Sequence, residues 1–302
     1  MQFGRLSNIE QVDFSLPKDH ADTARLLNKK RTENLEIYVG CPIWSHPDWV
    51  GKIYPKTAKE KDFLMYYAQQ YNSIELNATG YNIPALSNIA RWVSSVPDTF
   101  KFCPKVTRVI SQAKDVFEKK EAFDIFIDHV LHFEKNLGCT FFQFPPYYKP
   151  NQLNSLIKLL DTLPDDFELS VELRHEEWFN EPTAFDELSQ YLKSKKFGLV
   201  ITDVSERRDV LHQRFTNKTA FIRFTANDLH PSDYMRLDEW TTRITQWIEN
   251  GLEKLYFFVH TPEKALSPEL AYYFIQELNK KAGTTIKSPK PLIDRTQRDL
   301  FG

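Results

Sequence analysis

The chain has 302 residues, 41% hydrophobic and 26% charged, with a formal net charge of −2. That balance suits one large globular domain or two smaller ones, and it gives no general attraction to nucleic acid or to an anionic membrane. No apolar run reaches the roughly 18 residues of a membrane span, and the chain's 9 glycines form neither a GxGxxG turn nor a P-loop.

Residues 1–34 are polar and read as an N-terminal extension; "MQFGRLSNIEQVDF" has no basic-then-apolar leader pattern. The first strand is "LEIYVG", followed by a loop, "CPIWSHPDWVGKIYP", that carries Trp44, Trp49 and Tyr54. Next come the helix "KEKDFLMYYAQQY", the strand "SIELN", the helix "ALSNIARWVSS" and the strand "FKFCPKV". "EAFDIFIDHVLHFEKN" reads as helix, "CTFFQFP" as strand, "NQLNSLIKLLDTL" as helix and "ELSVELRH" as strand. After the helix "TAFDELSQYLKSK" comes the sixth strand, "GLVITD", followed only by the short polar "SERRDVLHQRFTN". The strands "TAFIRFT" and "KLYFFVH" then alternate with the helices "LDEWTTRITQWIEN" and "PELAYYFIQELNKK". Ser267, Pro268 and Glu269 look like a helix start, and Asn250-Gly251 like a stop. Past Lys281 the pattern ends in a Pro- and Lys-containing tail, residues 282–302, which reads as a linker leaving the barrel.

Eight strands alternating with about seven helices predict a single (β/α)₈ TIM-type barrel over residues 35–281. A doubly wound open sheet would carry a glycine turn after its first strand, and none is there. The three cysteines, Cys41, Cys103 and Cys139, are odd in number and show no CxxC spacing, which suggests reduced thiols and a cytoplasmic protein.

In such barrels the active site lies at the C-terminal strand ends, where alternate residues face inward. That rule gathers Glu75, Asn77, Lys105, Gln143, Glu172, Arg174, Asp203, Arg223 and His260 into one cup with three charges of each sign besides His260. Buried ion pairs are weak stabilisers, so a purely structural role would be served as well by apolar residues. Lys105, Arg174 and Arg223 suit a carboxylate or phosphate. Glu75, Glu172, Asp203 and His260 are the candidates for moving protons. An oxygen-rich Mg²⁺ site from Glu75, Glu172 and Asp203 is a less favoured alternative. Trp44 and Trp178 are candidate stacking surfaces for a base or sugar, whereas Trp49 and Tyr54 fit better as plugs under their loop. His46 and His175 read as surface or supporting residues. The expected ligand is a phosphorylated sugar, a nucleotide or nucleic acid, and a binding protein without turnover stays open.

"GCPIWSHPDWVGKIYP", "YAQQYNSIELNATGYNIP", "RWVSSVPDTFKFCPKV", "FFQFPP" and "VELRHEEWF", followed by "FIRFTAND" and "LYFFVHTPE", resemble the YecE-like family, domain of unknown function 72, from about Tyr38 to Thr261. The resemblance implies a TIM-type barrel and no particular reaction. Glu75, Asn77, Lys105, Gln143, Glu172, Arg174 and Arg223 fit the family pattern. Ser111-Gln112 stands where that family usually has Thr-His, Thr225-Ala226-Asn227 where a His-Gly pair is common, and Val259-His260 where two asparagines are common. The closing "TQRDLFG" resembles the bacterial sliding-clamp-binding peptide, with Gln297, Leu300 and Phe301 as the anchor of a DNA-metabolism factor.

Overall fold

The computed structural model describes residues 8–180 and 182–290, and it contains all eight strands expected from the sequence. They are β1 (Glu36–Gly40), β2 (Ser73–Leu76), β3 (Lys101–Pro104), β4 (Thr140–Gln143), β5 (Leu169–Glu172), β6 (Gly198–Asp203), β7 (Thr219–Thr225) and β8 (Lys254–His260). Six form a parallel sheet in the order β1-β8-β7-β6-β5-β4, while β2 and β3 form a separate parallel pair. The architecture is α/β, with a mostly parallel sheet and helices between the strands.

Regular pairing does not run round all eight strands as the sequence led us to expect, and between β1 and β2 local chemistry gives the reason. Between β1 and β2 the side chain of Asn72 stands in for strand backbone. Its Nδ2 donates to Ile37 O at 2.7 Å, and its Oδ1 accepts from Val39 N–H at 2.9 Å. Gly40 lies so close to β2 that a Cβ there would collide with the Ser73 carbonyl oxygen. One backbone bond still crosses the first gap and two cross the gap between β3 and β4. Glu75 N–H donates to Cys41 O at 3.3 Å, Gly138 N–H to Phe102 O at 2.7 Å and Val106 N–H to Phe141 O at 3.0 Å.

Period-two alternation divides the strand side chains into two sets. Tyr38, Cys103, Cys139, Phe141, Val200, Phe221, Tyr256 and Phe258 form a small inner cluster. Its rings lie close, with Phe141 and Phe258 at 5.4 and 5.3 Å from Phe221 between centroids. The other set, including Ile74, Phe142, Val171, Ile201, Ile222 and Phe257, joins the larger core beneath the helices. Cys41, Cys103 and Cys139 are free and buried, as expected for reduced thiols, and burial pushes their pKa values up.

The helices follow the expected segments with two differences. The helix after β7 begins at Pro231 rather than Leu237, because His230 accepts from Ser232 N–H and caps a proline-led first turn. The Ser267 hydroxyl does not cap its helix; it pairs with the Thr261 hydroxyl at 2.6 Å. Gly251, with φ of 96°, supplies the left-handed residue after Asn250.

No helix between β6 and β7 takes the usual place; there is a single 3-10 turn, Arg208–Val210. The N-terminal extension occupies that flank instead. Its short helix, Ala21–Leu26, docks through Thr23, whose hydroxyl donates to Gln213 O at 2.7 Å and accepts from Phe215 N–H at 3.0 Å. Leu16 N–H donates to Glu239 at 2.8 Å, and Asp19 accepts from Arg243 at 2.7 Å and from Trp247 at 2.9 Å. Phe14, 5% exposed, lies beneath the guanidiniums of Arg208 and Arg236. At the other terminus, residues 284–290 fold back on the body rather than leaving it. Ile286 N–H donates to Asn279 Oδ1 at 2.9 Å, and Lys290 N–H donates to Gln70 Oε1 at 2.8 Å. Among the described residues no helix is long and apolar enough to cross a membrane.

Candidate functional site

Above the inner aromatic cluster, the last inward residues of six strands and their following turns meet in one hydrogen-bonded network. Arg223 on β7 is its centre. Its Nε and Nη2 donate to Glu75 Oε2 and Oε1 at 2.9 and 2.8 Å. Its Nη1 donates to both Glu172 oxygens, at 3.2 and 2.9 Å. Arg174 Nε adds 2.7 Å to Glu172 Oε1, and Gln143 Nε2 donates to Oε2 at 2.8 Å. On the Glu75 side, Asn77 Nδ2 donates to Oε1 at 2.8 Å and His260 Nε2 lies 2.8 Å from Oε2. Lys105 Nζ donates to Gln143 Oε1 at 2.6 Å. The Lys105 backbone N–H is fixed by Thr79 Oγ1 at 2.9 Å, so the turn after β2 positions the end of β3.

Both glutamates are fully buried. Burial alone raises a carboxyl pKa, but around Glu75 the charges of Arg223 and His260 outweigh it and hold the group well below the usual range. For Glu172 burial is again outweighed, by Arg174 and then Arg223, and its pKa falls to about 2. Both carboxylates are therefore ionised and only accept, so the His260 Nε2 that faces Glu75 carries a proton. Lys105 moves the other way: burial, then the charge of Arg223, bring it down to about 8. Arg223 also lies 5.5 Å over the Phe141 ring, so the floor of the site is apolar and strengthens every charge interaction above it.

Two residues expected in the cup are elsewhere. Asp203 lies on the helix side of β6: it accepts from Trp240 Nε1 at 2.6 Å, pairs with Arg236 at 2.8 Å, and also pairs with Arg208. Counting by twos from the outward-facing Leu199 and Ile201 carries Asp203 outward, and Thr202 is the residue of β6 that pairs in register with Arg223. Thr202 was missed by residue type; its hydroxyl is buried without a hydrogen-bond partner among the described residues. Trp178 is fully buried, with Nε1 donating to Tyr148 O at 2.8 Å and its ring parallel to Tyr148, so it is core and not a stacking surface. Trp44 packs edge-on against Trp92 at 5.6 Å and remains partly exposed. Trp49 and Tyr54 are fully buried plugs, as expected. His46 and His175 each accept a local backbone N–H, at 3.3 and 3.1 Å, and play no part in the network. Gln297, Leu300 and Phe301 lie outside the described residues.

With Asp203 on the other face, the cup holds three cations, Lys105, Arg174 and Arg223, against two carboxylates, Glu75 and Glu172. Among the described residues, and leaving His260 aside, its balance is therefore +1. The oxygen trio considered for Mg²⁺ is not assembled, since Asp203 is absent from it and both glutamates accept from Arg223. Arg223, expected to clamp an anionic ligand, is instead engaged by carboxylates of the chain itself. Two hollows lie at the opposite strand ends. One, of about 550 Å³, is lined by Arg31, Glu33, Asn72, Thr284 and Lys287, and the other, of about 160 Å³, by Cys139, Glu168, Lys196 and Asn217. The larger lacks converging charge: Arg31 is bound to Ala282 O and Glu249, and Asn72 is committed to β1. The charged network, not the volume, marks the candidate site.

A family model described as a protein of unknown function, DUF72, matches residues 38–294. The chain belongs to the DUF72 family. It is 29% identical to the UPF0759 protein YecE of Escherichia coli K12 over 262 residues, covering 81% of this chain and 93% of that protein. Over 168 residues it is also 29% identical to the UPF0759 protein YunF of Bacillus subtilis 168, covering 53% and 57%. The fold is similar to that of a DUF72 family protein, EF0366, from Enterococcus faecalis V583. In its 2.52 Å crystal structure the TM-score is 0.63 at 18% identity, over 84% of this chain and all of the other. These similarities agree with the resemblance read from the motifs.

Proposed function

We propose that the eight strands form one closed parallel barrel whose C-terminal mouth binds a small anionic, hydroxyl-bearing molecule, with Lys105 and His260 moving protons on it. Support for closure comes from the backbone bonds of Glu75 and Val106 across the two gaps in regular pairing. Amide exchange at those two positions as slow as in the β7–β8 ladder is the expected result; exchange at loop rates would refute closure.

One observation carries the ligand reading. The carboxylates are already neutralised by Arg223 and Arg174, while among the described residues Lys105 has no carboxylate oxygen within 4.0 Å. A positive group is thus left over at a half-buried mouth, where an anion would complete the balance. Glu75 meanwhile orients His260 as a carboxylate–imidazole pair, the usual arrangement for a proton carrier. Hydroxyl recognition would fall to Asn77 and Gln143, which stand beside the same carboxylates. The test is a thermal-shift screen of sugar phosphates and nucleoside monophosphates at pH 7. At a concentration of 100 times Kd, a binder stabilises by about 2.7 kcal/mol, which is a rise of several degrees in Tm. Lys105→Met and His260→Gln should weaken that rise. If no phosphorylated compound shifts Tm, the reading fails.

A further inference from the structure

The three cations of the cup are not equivalent. Arg174 and Arg223 bind glutamate oxygens directly, whereas the Lys105 amine meets a neutral amide, Gln143 Oε1, at 2.6 Å. An amide oxygen accepts an N–H from either an ammonium or a free amine, so this partner does not lock the charged form. Lys254, at the other end of the sheet, shows the contrast: Glu168 and Glu36 lie 2.5 and 3.5 Å from its nitrogen, and its pKa is raised. The stem of Lys105 runs against Gly80, where a Cβ would stand 3.0 Å from its Cδ, and the amine sits 5.9 Å over the Phe141 ring. Glycine, an aromatic floor and an amide thus hold an amine at the mouth of the site, where burial and the Arg223 and Arg174 guanidiniums disfavour its charge against the opposite pull of Glu172 and Glu75.

We propose that Lys105 is a covalent nucleophile, forming an imine with the aldehyde or ketone carbon of a phosphorylated hydroxy-carbonyl compound bound in the cup. This deepens the anion-site reading above and rests on it. In the first step the amine nitrogen bonds to the carbonyl carbon while a proton passes from nitrogen to the former carbonyl oxygen, giving a carbinolamine. The hydroxyl then leaves as water and C=N remains, so one carbonyl and one amine yield one imine and one water, with no redox partner. His260, held by Glu75 at 2.8 Å, is the imidazole of the same cup and suits the proton transfers at oxygen. The low pKa of Lys105, about 8, supports the role by keeping a sizeable share of free amine near neutral pH.

The full-length protein would be treated at pH 7.5 with glyceraldehyde 3-phosphate and sodium borohydride, which fixes an imine as a secondary amine, and then mapped by peptide mass spectrometry. Labelling of Lys105 should exceed that of the average surface lysine by at least about tenfold, given the free-amine advantage of a lowered pKa. Lys105→Arg, checked for a cooperative melt, should lose the dominant adduct. Glycerol 3-phosphate, which has the anion and hydroxyls but no carbonyl, reports binding alone by thermal shift. If it binds while Lys105 is labelled no faster than surface lysines, the nucleophile proposal is overturned and the anion site stands. If neither compound engages the cup, both are overturned.

Discussion

Replacing Arg223 with methionine would remove the one side chain that holds Glu75 and Glu172 together. Both carboxylates are fully buried, and Arg223 makes four of their hydrogen bonds, at 2.8 to 3.2 Å. For Glu172, a fall in pKa from 4.5 to about 2 corresponds to about 3 kcal/mol of folded-state stabilisation at neutral pH. Glu75 contributes in the same direction. Removing one partner of a buried pair typically costs 3–5 kcal/mol because the remaining charge is stranded, so Arg223→Met should lose about that much at pH 7 in urea unfolding. The pH dependence gives the sharper test. In the wild type the contribution of Glu172 is fully present above about pH 4.5 and is lost as pH falls toward 2. In the variant Glu172 keeps Arg174 as its charge partner and Glu75 keeps only His260, so burial raises both carboxyl pKa values above their wild-type positions, and protonation on lowering the pH from 7 relieves the strain. The stability gap between the two proteins should therefore narrow from pH 7 to pH 5. A loss below about 1 kcal/mol at pH 7, or a gap that widens on acidification, would refute the account of Arg223 as the keystone of the network.

Asp203→Asn should destabilise by about 2–4 kcal/mol through its bonds to Arg236, Arg208 and Trp240. It should leave phosphate-ester affinity within about twofold by titration calorimetry, since a change this small costs well under 1 kcal/mol. Trp178→Ala should cost about 3–5 kcal/mol in chemical denaturation from the cavity it leaves, again with ligand affinity unchanged. A stacking role would reverse that pattern. Affinity for a phosphate ester, measured by thermal shift from pH 7 to 10, should decline as pH rises through about 8, where Lys105 loses its charge. In Lys105→Met that alkaline decline should be absent.

The strands were readable because their β-branched and aromatic runs are short and the chain alternates strand with helix, and β6, β7 and β8 end where the pattern says they should. Side-chain direction was readable wherever one face of a strand is polar. Glu75, Glu172 and Arg223 each stand between apolar neighbours, and all three point inward. In "GLVITD" both faces are largely apolar, so residue type favoured Asp203 while the period of the strand favours Thr202. Partner choice was not legible. That Arg223 bridges two glutamates from β2 and β5 depends on which strands face each other across the interior, which no local pattern encodes. Nor does residue type reveal that Asn72 would replace backbone pairing beside β1, or that Trp178 would find a carbonyl at Tyr148.

The docking of the N-terminal extension also bears on how the chain is made. Leu16 reaches Glu239, 223 residues further along, and Asp19 reaches Trp247, 228 residues further along. During synthesis Phe14 therefore leaves the ribosome long before Arg208 and Arg236, which cover it, exist. At roughly 5–20 residues per second, that is a wait of tens of seconds with an apolar ring unsheltered. Closing such a distant contact is entropically late in any folding route, so the flank beside β6 should be among the last parts to lock.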